Sequence, residues 1–239
     1  MKSSRITDIL SCGLELSGLK LPPDAYAKFE KYYTFLHEKS KYVNLTAISG
    51  VEDVARLHFL DSIMLLGVYR FHGARVIDIG SGAGFPGVPL KISEPSIDLT
   101  LLDATVKRID FLSELCSVLG VCSAFICARA EEASCKEEIR EKYDIAVSRA
   151  VARLNILCEL CLPYVCPGGV FIAMKTIDSD DEISEANNAI LSLGGQLIES
   201  IDYLIPETSI RRRAVIISKT KNTPADFPRR YSKMQRNPL

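Results

Sequence analysis

The sequence predicts an α/β protein: a doubly wound, seven-stranded, mostly parallel sheet with an N-terminal helical cap. Three observations lead there. From residue 74 onward, short β-branched and apolar runs alternate with segments of helical periodicity, the mark of repeated βα units. Glycines fall at 80, 82, 84 and 87, directly after the apolar run Val76-Ile-Asp-Ile79, so a buried strand runs into a sharp turn, and a helix signal follows. Residues 1–70 read as helices, with no repeat or low-complexity segment.

In the cap, Pro22-Pro-Asp24 marks a helix start, and Tyr26, Phe29, Tyr33 and Leu36 continue at helical spacing. Tyr42-Val-Asn-Leu-Thr-Ala-Ile48 breaks that helix. A second amphipathic helix fits 52–69, apolar at Val54, Leu57, Leu60, Ile63, Met64 and Leu65. Strands are predicted at 75–79, 97–102, 124–128, 144–148, 169–174, 197–204 and 213–218, with helices at 86–93, 105–119, 131–141, 153–163 and 181–193. Gly120 stops one of these helices; another is capped by Asp181 and stopped by Gly194-Gly195. The last two strands are expected to form an antiparallel hairpin.

The chain of 239 residues is 47% hydrophobic and 25% charged, a globular rather than a disordered composition. No run of 18 apolar residues exists, so no membrane-spanning helix is expected. The first residues lack the apolar core of a secretory signal, which makes the cytoplasm the expected location. Eight cysteines, at 12, 116, 122, 127, 135, 158, 161 and 166, are therefore expected to stay reduced. Cys158-Glu-Leu-Cys161 has no second pair, and His37, His58 and His72 lie far upstream. Small apolar residues packed in a helix fit it better than a metal site, and no metal is expected. The net charge of −1 is uneven: residues 1–70 carry a net +1, residues 71–205 a net −9, and residues 206–239 a net +7. A basic arm on an acidic body suits an anionic polymer, most simply nucleic acid, or else is a solvated surface.

The glycine loop fits two templates. Gly82-x-Gly84-x-x-Gly87 is the dinucleotide fingerprint. Asp78-x-Gly80-x-Gly82-x-Gly84 is the signature of S-adenosylmethionine (SAM) methyltransferases, whose Rossmann-like sheet has seven strands. In such sheets ligands bind at the carboxyl ends of the strands, near the switch point. That rule selects Gly80–Gly87, Asp103, Ala130-Glu131 and Ser148-Arg149. Asp103 is placed to accept both hydroxyls of a ribose, or to cap the helix that follows, with Thr105 as its competitor. Ala130 and Glu131 suit the adenine edge, though an acid also favours a helix start. Arg149 sits where substrate-facing residues lie. Beside a sulfonium it should point at a carboxylate, a phosphate or guanine O6; otherwise it is a surface arginine. The sequence holds no Asn/Asp-Pro-Pro-Tyr pattern for amino-group methylation and no Pro-Cys nucleophile for cytosine C5. A ring nitrogen with a free lone pair, such as guanine N7, remains, and it needs no general base, only alignment.

Several segments together resemble the GidB/RsmG methyltransferases of bacteria, which make N7-methylguanosine in 16S ribosomal RNA. They are Tyr42–Ile48, His58-Phe-Leu-Asp-Ser62, Asp78–Gly87 with its Gly-Phe-Pro-Gly continuation, Leu101–Arg108, Ser148-Arg-Ala150 and the ending Phe227–Leu239. The resemblance spans nearly the whole chain. It implies SAM contacts at Gly80, Phe85, the Asp103-Ala104-Thr105 segment, Ala130, Glu131 and Arg149, beside Gly82 and Gly84 of the loop. The family's ending carries a Gly and a Pro within its Arg-rich stretch, where this chain has Ser232 and Met234.

The expected organisation is a cap over 1–70, a SAM-dependent methyltransferase domain over 71–220 and a basic tail over 221–239. The expected reaction is methyl transfer from SAM to guanine N7, with Arg149 as the catalytic candidate and 16S rRNA or the small ribosomal subunit as partner. Arg211, Arg212, Arg213, Arg229, Arg230 and Lys233 are expected to hold RNA phosphates, and Phe85 to stack on the base or pack in the core. A monomer is expected. A small-molecule SAM methyltransferase, an NAD-dependent oxidoreductase and a non-catalytic SAM-binding assembly factor are the competing readings.

Overall fold

Five residues, Arg75–Ile79, form β1, and their alternating neighbours Val76, Ile77 and Ile79 are buried on both faces, as a strand between two helical layers requires. A computed structural model describes residues 5–40, 45–48 and 50–239. The expected break at Tyr42–Asn44 lies outside the described residues. The cap comprises α1 (Arg5–Ser17), α2 (Ala25–Lys39) and a helical run of α3 (Val51–Val54), a π-helical turn (Ala55–Leu60), α4 (Asp61–Ile63) and α5 (Leu65–Val68). After β1 come α6 (Gly87–Ser93), β2 (Asp98–Asp103), α7 (Val106–Leu119), β3 (Ala124–Cys127), α8 (Ala130–Ala133), β4 (Tyr143–Arg149), α9 (Leu154–Cys161) and β5 (Val165–Thr176). The chain closes with α10 (Asp180–Glu185), α11 (Asn187–Ser192), β6 (Gly195–Leu204), β7 (Arg211–Lys219) and α12 (Tyr231–Arg236).

All seven strands join one sheet in the order β3-β2-β1-β4-β5-β7-β6. The first five are parallel neighbours, while β7 runs antiparallel to both β5 and β6. The expected terminal hairpin is therefore present, with β7 inserted between β5 and β6. The order reverses between β1 and β4, which puts the loops after these two strands side by side.

One buried cluster unites Leu10, Phe29, Phe59 and Leu65 of the cap with Leu99 and Ile172 of the sheet. The second, on the other face, includes Cys158 and Cys161 of α9 and Met234 of α12. Burial pushes both thiols upward, so they behave as small apolar side chains. The C-terminal segment is thus a docked helix rather than a free arm.

Two local expectations are revised, and one helix is added. The helix expected over 131–141 stops at Ala133, because the charged stretch after it offers few apolar residues to bury. The helix expected to be capped by Asp181 begins at Asp180 behind Ser179, with Asp180, Asp181 and Glu182 in its first turn, where the macrodipole favours acids. Helix α1 was not anticipated, although Ile6, Ile9, Leu10 and Leu14 share one buried face.

The cap is bolted to the glycine loop. Tyr32 of α2 is buried and donates its hydroxyl hydrogen to the Ala83 carbonyl at 2.6 Å. Gly84 next to it has φ +100°, and a Cβ there would lie 2.5 Å from the Tyr32 hydroxyl. Gly84→Ala should therefore destabilise the protein by about 2 kcal/mol or more. Tyr32→Phe, which leaves a buried carbonyl unpaired, should cost about 1–3 kcal/mol. Urea denaturation measures both; a Gly84→Ala variant as stable as the parent would contradict the packing described.

Candidate functional site

The loop after β1 is strapped to the end of β2. The amides of Gly80 and Ser81 donate to the Leu102 carbonyl at 2.8 and 3.0 Å, and the Ser81 hydroxyl donates to the Asp78 carbonyl. The Gly82 amide donates to Asp103 Oδ2 at 3.0 Å, while Asp103 Oδ1 accepts the Thr105 amide at 2.9 Å. Arg108 Nη1 lies 3.3 Å from Asp103 Oδ2. One carboxylate thus holds the loop and starts α7, and Thr105 takes the cap position without a side-chain bond of its own. Beneath, the Asp78 carboxylate accepts the Gly87 amide at 2.9 Å. Complete burial outweighs that bond and lifts its pKa to about 7.

A cleft of about 460 Å³ opens above this strap. It is lined by Gly80, Gly82, Asp103-Ala104-Thr105, Ala128–Glu131, Arg149–Val151, Leu160 and Tyr231, among others. Eight of the expected cofactor residues therefore meet there: Gly80, Gly82, Asp103, Ala104, Thr105, Ala130, Glu131 and Arg149. Gly84 and Phe85 do not. Gly84 faces Tyr32, and Phe85 is buried against the rings of Tyr32 (centroids 5.3 Å apart) and His58 (4.3 Å), with the Arg149 guanidinium 5.1 Å from its ring. Of the two readings of Phe85, core packing is the one the geometry shows.

A second cleft of about 610 Å³ lies beside the first, lined by His58, Asp61, Arg153, Met174–Thr176, Glu182 and Arg212 among others. The two share Arg149, Ala150 and Val151. Ala150 has φ +57°, a left-handed turn that swings Val151 over the loop. A Cβ on Gly80 would sit 2.6 Å from a Val151 methyl, so this wall closes only over glycine.

Arg149 was expected to face a carboxylate, a phosphate or a base, and it finds a carboxylate within the chain. Its Nη1 donates to Asp61 Oδ2 and to the Leu57 carbonyl, both at 3.1 Å, and its Nη2 to His58 Nδ1 at 3.0 Å. Asp61 is only 2% exposed. It also accepts the Tyr203 hydroxyl at 2.9 Å, and Arg212 lies 4.0 Å away. Burial raises the Asp61 pKa, against the pull of Arg149, Tyr203 and Arg212. The same His58 Nδ1 lies 3.1 Å from the Leu57 carbonyl, and Nε2 lies 2.8 Å from the Thr46 hydroxyl. Burial first, then the Arg149 charge, depresses the His58 pKa to about 3. Neither Asp61 nor Tyr203 was singled out as a functional residue from the sequence; no local pattern marks a partner 88 residues from Arg149.

The basic candidates divide. Arg213 is paired with Asp202 at 2.6 Å and with Asp180. Arg229 binds Glu159 through Nε, Nη2 and its own amide, and Glu159 is 1% exposed. Both guanidinium groups are thus already matched by carboxylates within the protein. Arg211, Arg230 and Lys233 are exposed, and Arg212 is half-buried at the second cleft. Among the described residues, no group of three or more His, Cys, Asp or Glu side chains is arranged to hold a metal ion, and no helix is long and apolar enough to cross a membrane.

A sheet in this order, with a glycine-loop cleft at its switch point, is the Rossmann-like methyltransferase fold. A methyltransferase from Pyrococcus furiosus shares it (TM-score 0.55, 10% identity, covering 82% of this chain and 99% of that one). So does a ribosomal protein L11 methylase from Lactobacillus delbrueckii subsp. bulgaricus (TM-score 0.51, 13% identity, covering 67% and 78%). More specifically, residues 25–205 match the GidB family, rRNA small subunit methyltransferase G, and the chain belongs to that family. A Lachnoclostridium phytofermentans protein named ribosomal RNA small subunit methyltransferase G is 43% identical over 229 residues, 95% of each chain. One of the same name from Desulforamulus reducens is 45% identical over 215 residues, 88% of this chain and 89% of its own.

Two outcomes test this geometry. In an NMR titration the His58 ring should remain neutral from pH 8 down to at least pH 5. Its folded pKa lies below the unfolded value near 6.5, so its contribution to stability is present above that value and is lost as pH falls toward 3. Separately, Arg229→Ala, which strands a buried carboxylate, should destabilise the fold by about 3–5 kcal/mol. Lys233→Ala, at an exposed position, should leave the melting temperature unchanged.

Proposed function

We propose that this protein transfers the methyl group of SAM to N7 of a guanosine in small-subunit (16S) ribosomal RNA, acting as a monomer in the cytoplasm. The observation that carries this reading is the shared wall Arg149–Val151. It sets a glycine-floored cleft edge to edge with a second cleft that has cationic side chains at its rim. Family membership supports the same chemistry. The first cleft suits SAM: Gly82 has nothing nearer than 3.9 Å where a side chain would stand. Asp103, at the carboxyl end of β2, would hold the ribose, and Ala128, Ala130 and Leu160 line the cleft with apolar side chains. SAM supplies a methyl group made electrophilic by its sulfonium.

The residues of the second cleft position rather than activate. N7 of guanine carries a lone pair in the ring plane and no proton, so attack needs no base. His58 is neutral and Asp61 is occupied by Arg149 and Tyr203, which leaves neither to abstract a proton. Positive charge passes from sulfur to the base, so the net charge of the reacting pair is unchanged. What the protein contributes is alignment at about 3 Å and exclusion of water. Arg149, with its charge matched by Asp61, holds the wall between the clefts without repelling the sulfonium as an unpaired guanidinium would. Arg211, Arg212, Arg230 and Lys233 are the proposed phosphate contacts.

Mass-mapping of rRNA from cells with and without the protein tests the activity; the expected result is one lost methylguanosine. Calorimetry tests the cofactor: SAM should bind more tightly than NAD, and Asp103→Ala should weaken SAM about tenfold or more, the loss of a charge-assisted hydrogen bond. Tighter NAD binding would overturn the reading.

A further inference from the structure

We infer that Tyr231, in the C-terminal segment, forms the wall of the SAM cleft that meets the purine, so that residues 229–236 belong to the cofactor site. The inference rests on the SAM reading above and adds a binding residue to it. Tyr231 lines the first cleft and is its one aromatic ring among the described residues. Phe85, the aromatic expected there, is turned into the core.

The position of Tyr231 along the cleft follows from its neighbours. A hollow of about 650 Å³ lies on the far side, between α8 and the C-terminal segment. Tyr231, Arg129 and Glu131 line both spaces. The ring therefore stands at the end reached by β3, beside Ala130 and Glu131, and away from Gly80 and the shared wall. Ribose contacts at Asp103 would leave the purine at that end. Its faces are flat and apolar, and Ala128, Ala130 and Leu160 supply small side chains without a stacking partner. The Tyr231 hydroxyl has no hydrogen-bond partner among the described residues, and the residue is half-buried.

The ring is also held in place. Arg229, two residues earlier, donates three N–H groups to Glu159 at 2.6–2.8 Å. Glu159 directly precedes Leu160, which lines the same cleft. Three residues after Tyr231, Met234 is fully buried. With both sides anchored, little ordering remains when the ligand arrives. A buried ion pair in a segment expected to meet RNA thus acquires a purpose: it fixes a cofactor wall.

Calorimetry with SAM tests the inference. Tyr231→Ala should raise the Kd about tenfold or more, as loss of base stacking does, while Tyr231→Phe should stay within about threefold of the parent. The chain contains no tryptophan, so Tyr231→Trp places one indole at the site. Its emission should change saturably on adding SAM, with the Kd that calorimetry gives for the same variant. This arm decides the matter even if Tyr231→Ala fails to fold. Unchanged affinity in a folded Tyr231→Ala, or unchanged indole emission in a SAM-loaded Tyr231→Trp, would overturn the assignment. Failure of the unaltered protein to bind SAM would instead overturn the reading beneath it.

Discussion

A guanidinium placed at the carboxyl end of β4 must be neutralised, because an unpaired charge is expensive to bury. Arg149 meets this demand by gathering the molecule around itself. The π-helical turn of the cap supplies the Leu57 carbonyl and His58, Asp61 follows one residue later, and the β6–β7 hairpin adds Tyr203 and Arg212. Segments more than a hundred residues apart are thereby held to one arrangement. The π turn widens the helix where these groups converge, in keeping with the recurrence of such turns at functional sites. The hairpin, which lies far from the glycine loop in the strand order, reaches the site through this network.

The sheet was legible because its signal is local. Strands β1, β2 and β4 are short apolar runs, and each strand ends within a few residues of its predicted limit. The glycine loop was equally plain, since closely spaced glycines after an apolar run leave few alternatives. What the sequence hid were relations between distant side chains. Asp61 sits in a helix whose apolar spacing explains its neighbours, and nothing nearby announces Arg149 as its partner. Phe85 lies within the glycine loop, between Gly84 and Gly87, yet its ring turns away from the cleft and stacks on Tyr32 and His58.

The basic ending shows what a charge count leaves out. Nine basic residues in 206–239 suggested a surface for polyanions. Arg213 and Arg229 instead spend their charge on Asp202, Asp180 and Glu159. Composition records how many charges exist and not which are already matched. The exposed ones are fewer, and two of them lie at the helix that carries Tyr231 and buries Met234, Arg230 just before it and Lys233 within it.

The wall of Arg149, Ala150 and Val151 has a thermodynamic consequence. A backbone turn in the left-handed region, pressed over Gly80 on one side and tied to Asp61 on the other, is a single element with two faces. A ligand that shifts it in either cleft alters the free energy of occupying the other. Such coupling is reciprocal: by whatever factor the cofactor changes the affinity for the acceptor, the acceptor changes that for the cofactor, in the same direction. One residue without a side chain, Gly80, permits the close contact with Val151 on which any such linkage would depend.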